Sequence, residues 1–315
     1  MNQMMNQCLR FLFVIVLFGY GHHSWSASST ACKGLSFELQ TALIDLNLDP
    51  APPLQMTVTR TGNGTCEFFL VIDGPSTNRV LTHGSDTYPI QMYTNPGHTN
   101  IWMSLTEGPT AVNVISGNFS GNSSQITLTY YPLFIPNAAK PNGPYTGGFS
   151  ISLYQDGLSY YDPTQQPQSK NVNFKYTQEP YIDIALVDTG APFVAGDRNQ
   201  TLNFGNLVTG TTLGCDVVLQ HNAGYRLSMS SANSGQLKNT NGALTSFNLV
   251  PYSLTLNGSP ITLTSLPQEV NSSSTLNSPL GGTRLPVSVT IGNLTVAKPL
   301  PGTYSDTVTI SVSAY

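Results

Sequence analysis

One stretch of the chain has the residue types of an active site: Ile184-Ala-Leu-Val-Asp-Thr-Gly-Ala191. Hydrophobic residues followed by Asp-Thr-Gly-Ala present a carboxylate suited to aspartic-protease chemistry. That chemistry needs two carboxylates sharing one proton. A single copy of the motif requires a symmetric dimer, and no helical pattern follows it. The same residues suit a strand running into a turn, where Asp and Gly are favoured. Asp188 is therefore read as a turn residue, with proteolysis as a remote alternative. His83, His98 and His221 show no two-ligand spacing with another His, Cys or Glu. Asp45, Asp49, Asp73 and Asp86 follow no calcium-loop pattern. No Gly-x-Ser-x-Gly, phosphate-loop or dinucleotide fingerprint occurs. The expectation is a non-enzymatic chain without cofactor or metal.

The elements around these residues read as strands throughout. Period-2 alternation predicts strands at Leu35–Leu48, Cys66–Ile72, Tyr88–Tyr93, Ala111–Ile115, Gln125–Tyr131, Tyr145–Tyr154 and Val172–Tyr176. A second series covers Tyr181–Asp188, Thr201–Phe204, Gly214–Gln220, Tyr225–Met229, Leu249–Leu256, Pro286–Val296 and Tyr304–Tyr315. Turn signals such as Asn95-Pro-Gly97 and Asn142-Gly-Pro144 separate them. Short strands at this spacing indicate β-sandwiches.

The two series look like copies. Thr65–Ile72 pairs by likeness with Gly214–His221, Tyr88–Gly97 with Pro251–Gly258, and Ser124–Thr129 with Pro286–Val296. Gly143–Tyr154 matches the alternating ending Gly302–Tyr315. After Tyr154 one more strand follows, Val172–Tyr176; after Tyr315 the sequence has none. The second copy is thus expected to lack its closing strand. Its groove would be walled by Ile182, Ile184 and Leu186 on one side and Val308, Ile310 and Val312 on the other. An open apolar edge must be filled by another chain or it aggregates. Pilus subunits fill such edges by donating strands.

Arg10 and the apolar run Phe11–Phe18, with Ser24-x-Ser26 ahead of Ala27, predict a secretory signal over 1–26. The run is too short to span a bilayer, and no membrane insertion is expected. Residues 27–178 and 179–315 then form two domains of ordinary size, with Pro180 breaking strand pairing between them. Charged residues are only 9% and the net charge is −4. This argues against nucleic acid, which needs clustered Lys and Arg. Cys32 and Cys66 are placed to staple the first domain, as secreted proteins often do. Cys215 aligns with Cys66 but finds no cysteine near Asp183 or Ile184, so it is expected to be a buried free thiol.

Three stretches of the first domain are apolar and held by prolines: Leu48–Leu54 with Pro52 and Leu54, Tyr130–Pro141 with Leu133, Phe134 and Ile135, and Asp156–Pro167 with Leu158, Tyr160 and Tyr161. Large apolar residues on stiff loops suggest a contact surface. If the strands follow an immunoglobulin-like order, Tyr160 and Tyr161 point away from the second domain and Phe134 towards it.

Leu202-Asn-Phe-Gly205, Gly214-Cys215, Gly224-Tyr225-Arg-Leu227 and Pro301-Gly-Thr-Tyr-Ser-Asp-Thr-Val-Thr-Ile310 resemble the spore coat protein U domain family, the pilin type of archaic chaperone–usher fimbriae. Tyr88-x-Ile-x-Met-Tyr-Thr-Asn95 with Trp102 is similar in the first half. The resemblance implies two tandem immunoglobulin-like, pilin-type β-sandwiches, the second lacking its final strand. It implies a two-domain tip adhesin of a pilus, exported through the periplasm to the cell surface and serving attachment and biofilm formation. Its implied partners are a periplasmic chaperone, an outer-membrane usher, the next subunit's donor strand, and a host or abiotic surface. The short stretch between Ala27 and Cys32 spans only about 16 Å, so it is expected to accept a strand but not to donate one, as a tip would. The alternative is a structural pilin or coat subunit without receptor binding. The missing first-strand cysteine and the apolar insertions depart from the family pattern.

Overall fold

The computed structural model describes residues 30–137, 139–240, 248–297 and 299–315. The expected signal over 1–26 lies outside the described residues. The chain is all-β apart from single turns of helix, and its strands pair in two separate sets.

The first set holds β1 (Ser36–Leu39), β2 (Leu43–Asp45), β3 (Leu54–Thr59), β4 (Cys66–Ile72), β5 (Val80–His83), β6 (Asp86–Tyr93), β7 (Ile115–Phe119), β8 (Gln125–Phe134), β9 (Gly143–Gln155) and β10 (Gln168–Gln178). One layer runs β1-β3-β8-β6, and the other holds β4 with β7, then β9, β10 and β2. β5 bridges them, antiparallel to β6 and touching β9 at the single pair Thr82 and Thr146. The layers enclose Phe37, Met56, Val58, Phe68, Trp102, Tyr145 and Phe174, all buried. The Trp102 indole N–H donates to the Leu70 carbonyl at 2.9 Å, which satisfies the polar atom of this buried ring.

The second set holds β11 (Ile182–Asp188), β12 (Thr212–His221), β13 (Tyr225–Ser231), β14 (Gln236–Asn239), β15 (Leu249–Leu256), β16 (Ser259–Ile261), β17 (Gln268–Ser273), β18 (Thr283–Ile291), β19 (Tyr304–Ser305) and β20 (Val308–Ala314). One layer runs β11-β12-β18-β15-β14-β19 and the other β17-β13-β20. A single helical turn, α1 (Leu294–Ala297), stands where the sequence predicted the end of a strand.

Several expectations change. The predicted strand Leu35–Leu48 is two strands, because the chain leaves β3 after Leu39 and joins β10 at Leu43. The strand predicted at Ala111–Ile115 is a 3-10 turn at Ala111–Asn113, with β7 starting at Ile115. The stretch predicted to be a proline-rich loop ends in β3, whose Leu54 pairs with Tyr130. That hidden strand also shifts the repeat. β3 pairs with β1 and β8 as β12 pairs with β11 and β18, whereas β4 pairs with β9 as β13 pairs with β20. Cys66 on β4 is therefore not the counterpart of Cys215 on β12, and Cys215 lies in register with Asp188, not with Asp183 or Ile184. Cys32 and Cys66 are bonded as expected, and Cys215 is free and buried.

Candidate functional site

The decisive geometry is at β20. Tyr315 N–H donates to the Gly224 carbonyl and Ala232 N–H to the Thr307 carbonyl. In an antiparallel ladder bonded and non-bonded residues alternate. The odd residues of β20 therefore bond β13, while Val308, Ile310 and Val312 turn their backbone groups to the other edge. Among the described residues no strand pairs with that edge. The side chains of Val308, Ile310 and Val312 stay half-buried against the core of the second set, as do Ile182 and Leu186; Ile184 is buried.

The first set shows what is missing. There β10 lies antiparallel to β9 and parallel to β2, burying Val172 and Phe174. β9 holds the place in its set that β20 holds in the second. The first set is closed by its own strand and the second is open.

The linker between the sets is gripped from both sides. Gln178 is buried and accepts hydrogen bonds from Tyr88 at 2.7 Å and Tyr176 at 3.2 Å. The buried Asn222 side chain donates to the Glu179 carbonyl at 3.0 Å and accepts from Tyr181 N–H at 2.6 Å. Asn142 N–H donates to the Asn222 carbonyl at 2.8 Å. The segment with Phe134, Asn137 and Asn142 thus faces the second set.

Phe134 is corrected as a contact residue. It is 2% exposed and packs its ring 5.2 Å from Tyr88 and 4.6 Å from Tyr176. The period-2 pattern of β8 points it inward. Leu54 packs on the first core from β3, and Pro52 and Leu133 are half-buried. Ile135 is 70% exposed, but on the end facing the second set.

β9 runs 13 residues to the opposite end, about 40 Å away. There the loop after Gln155 folds over the outer face of β4. Leu158 and Tyr161 pack half-buried on Phe69, Val71 and Val114, with the Tyr161 ring 5.5 Å from Phe69. Tyr160 remains 66% exposed, and Val112 57%. Glu67, Ala111, Val114, Asn118, Leu158 and Tyr160 line a shallow depression of about 430 Å³. The sequence signal for Val112 was hidden by its reading as a strand residue.

The catalytic alternative gains no partner. Asp188 is exposed and accepts a 2.7 Å hydrogen bond from Gln200. The neighbouring carboxylate, Asp216, is buried and ion-paired to Arg284 while accepting from Gly190 N–H at 2.8 Å. The structure does not bring a proton-sharing pair together here. Among the described residues no cluster of three His, Cys, Asp or Glu side chains could hold a metal, and no helix is long and apolar enough to cross a membrane.

No protein-family model and no curated protein matches the sequence. Solved structures similar to the chain include pilus tip adhesins and pilins. The chain is similar to the CsuE tip subunit of archaic Csu pili of Acinetobacter baumannii, solved with its chaperone CsuC. The TM-score is 0.39 at 14% identity, over 88% of this chain and 99% of that one. It is similar to a variant of the CfaE adhesin of enterotoxigenic E. coli, with TM-score 0.37, 13% identity, and 91% and 83% coverage. The CupB6 tip adhesin of Pseudomonas aeruginosa gives TM-score 0.35, 8% identity, and 82% and 86% coverage.

Proposed function

We propose that this chain is a non-enzymatic, two-domain subunit of a chaperone–usher pilus, placed at the tip and serving attachment and biofilm formation. The domains are 27–178 and 179–315. The observation that carries the reading is the unpaired edge of β20, at the place where β9 of the first set holds β10. A half-buried apolar row beside an unpaired edge suits an incoming strand with apolar residues at alternate positions. A periplasmic chaperone would supply that strand first and the next subunit later, with an outer-membrane usher managing the exchange. The first domain, already closed by β10, has no place in such a series and is free for contact with a surface.

The contact residues on this reading are those at the end away from the linker: Tyr160, Leu158, Tyr161 and Val112. Each apolar side chain buried on contact contributes about 1.5–3 kcal/mol at most, and many pili multiply the effect. The test is attachment of piliated cells to plastic and to host cells. With Val112, Leu158, Tyr160 and Tyr161 changed to Ser, pili should still assemble and attachment should fall to the level of unpiliated cells. Normal attachment by such cells would favour the structural-subunit reading.

A further inference from the structure

We propose that the free edge of β7 in the first domain takes an extended peptide as a further strand, with a Lys or Arg side chain of that peptide held at the Glu67 carboxylate. The proposal rests on the reading of this end of the first domain as its contact surface, and names the kind of partner that surface fits.

β7 pairs with β4 and, among the described residues, with no other strand. The Asp156 N–H donates to the Glu67 carbonyl at 2.9 Å. Glu67 is therefore bonded towards β9, and the even residues of β4 are bonded towards β7. Their partners on β7 are Phe119, Gly117 and Ile115. Ser116 and Asn118 thus turn their N–H and C=O groups to the open side, and among the described residues no turn or loop backbone bonds them there. Exposed edges are commonly blunted by a proline, a charge or a bulge. β7 reads Ile115-Ser-Gly-Asn-Phe119 and keeps an unbroken register with β4, so it carries none of these.

The outer face beside this edge selects the side chain that an added strand should bring. Ser116 and Asn118 are exposed on it, and Glu67 lies directly across from Asn118. Among the described residues neither Glu67 nor the adjacent Asp156 has an ion-pair partner. A Cβ at Gly157 would stand 2.7 Å from a Glu67 carboxylate oxygen and 3.8 Å from the Tyr160 ring. The carboxylate and the ring therefore border one point, kept open by a residue without a side chain. Both line the depression of about 430 Å³. A carboxylate beside an exposed aromatic ring suits a cation.

The spacing across the strands fits that cation. A residue opposite Asn118 on an antiparallel newcomer makes a bonded pair, with about 5.5 Å between Cα atoms, and Asn118 with Glu67 is a non-bonded pair at about 4.5 Å. All three side chains share the outer face. The newcomer's residue then stands about 10 Å from Glu67, a gap that a long Lys or Arg stem and the Glu67 side chain close together across Asn118. The residues flanking the cation face inward, as Gly117 and Phe119 do, and should be apolar. The ligand is thus an extended segment with a cation between β-branched residues.

The test uses the full chain with an alternating Val-Thr strand fused after Tyr315 through a Gly-Asn turn, so that the groove of the second domain is closed to the probe. The probe is the capped peptide Thr-Val-Lys-Val-Thr. At saturating peptide, amide exchange at Ser116 and Asn118 should slow by about fivefold or more, while exchange at Gly117, whose N–H already bonds β4, should stay the same. Replacing the lysine of the probe by glutamate should weaken binding by about tenfold or more. Glu67→Lys should reverse that preference, and methylating the backbone nitrogen of the probe's lysine should abolish the slowing. Unchanged exchange at Ser116 and Asn118, or equal binding of the two peptides, would overturn the proposal. Slowing that grows with protein concentration in the absence of peptide would also overturn it, by giving the edge to a second copy of the chain. None of these results bears on attachment to plastic, whose loss when Val112, Leu158, Tyr160 and Tyr161 become Ser tests the contact end separately.

Discussion

Phe134 and Ile135 are adjacent in an apolar insertion, and the structure assigns them opposite fates. Phe134 is 2% exposed with its ring against Tyr88 and Tyr176. Truncating a buried Phe to Ala costs about 3–5 kcal/mol through lost transfer energy and the cavity left behind. Two aromatic contacts are lost with it, each contributing roughly 0.5–1.5 kcal/mol beyond burial, so the upper part of the range applies. Phe134→Ala should therefore destabilise the first domain by about 4–5 kcal/mol, a factor on the order of 1,000 in its unfolding constant. Ile135 is 70% exposed, so Ile135→Ala should stay within about 0.5 kcal/mol of the parent. The assay is urea unfolding of the full chain with a fused strand in its groove, followed by tryptophan fluorescence. Trp102 is the only tryptophan among the described residues and lies in the first core, so the signal reports that domain. Equal midpoint shifts for the two variants, or none for Phe134→Ala, would refute the burial argument. Loss of attachment by Ile135→Ser in a well-folded pilus would show that the contact surface lies at the other end.

Reducing the Cys32–Cys66 bond opens a loop of 34 residues, which the chain-entropy account puts at about 3.8 kcal/mol; the Trp102 transition should move by that order, and an unmoved midpoint would contradict it. Cys215 has its thiol pKa raised by burial and by Asp216 and Asp188, so alkylation at pH 8 should need denaturant; native-state labelling at the rate of a free thiol would show the site to be open. Burial pushes the Glu107 carboxyl up, but hydrogen bonds from Ser76 and Ser104 outweigh it and bring the pKa down to about 2. Its folded value lies below the unfolded one, so its contribution is present above pH 4.5 and is lost as pH falls towards 2. Glu107→Gln should flatten the loss of first-domain stability over that window, and an identical acid profile would remove Glu107 from the account.

The strands were legible where alternation is clean. β6 and β20 carry a clean in-out pattern, and the predicted bounds of β6, β9 and β11 lie within about two residues of the observed ones. The predicted strand Tyr304–Tyr315 is two, β19 and β20, because Tyr304–Ser305 pairs with β14 and Val308–Ala314 with β13. β3 was missed because Pro52 and Pro53 precede it and Leu-Gln-Met-Thr-Val-Thr follows a loop signal without a turn of its own. Missing it displaced one segment of the repeat, since Cys66 and Cys215 both sit in apolar strands and composition alone cannot tell their pairing. Phe134 was mistaken for a loop residue because β8 continues through Pro132, and a proline usually marks an edge or an end. Here Pro132 pairs with Met92 inside the ladder with β6; the Phe134 N–H donates to the Pro50 carbonyl, away from β6, and by the alternation of an antiparallel pair the Pro132 nitrogen faces the same way, so that ladder lacks no donor.

The most informative misfit is Thr201–Phe204. Its alternation predicts a strand, and the structure gives it none. A strand pattern records the environment in which a sequence is stable, and on the proposed function that environment includes a partner's strand. Leu202, Phe204, Val308, Ile310 and Val312 are each half-buried. Completing their burial adds about 1 kcal/mol apiece, half of the value for a full side chain. The sum is about 5 kcal/mol, the size of a small domain's net stability. A first domain that holds β10 and a disulfide has no comparable deficit. On the proposed function, the second domain depends on a partner's strand from synthesis onwards, which is the property an ordered assembly by strand exchange uses.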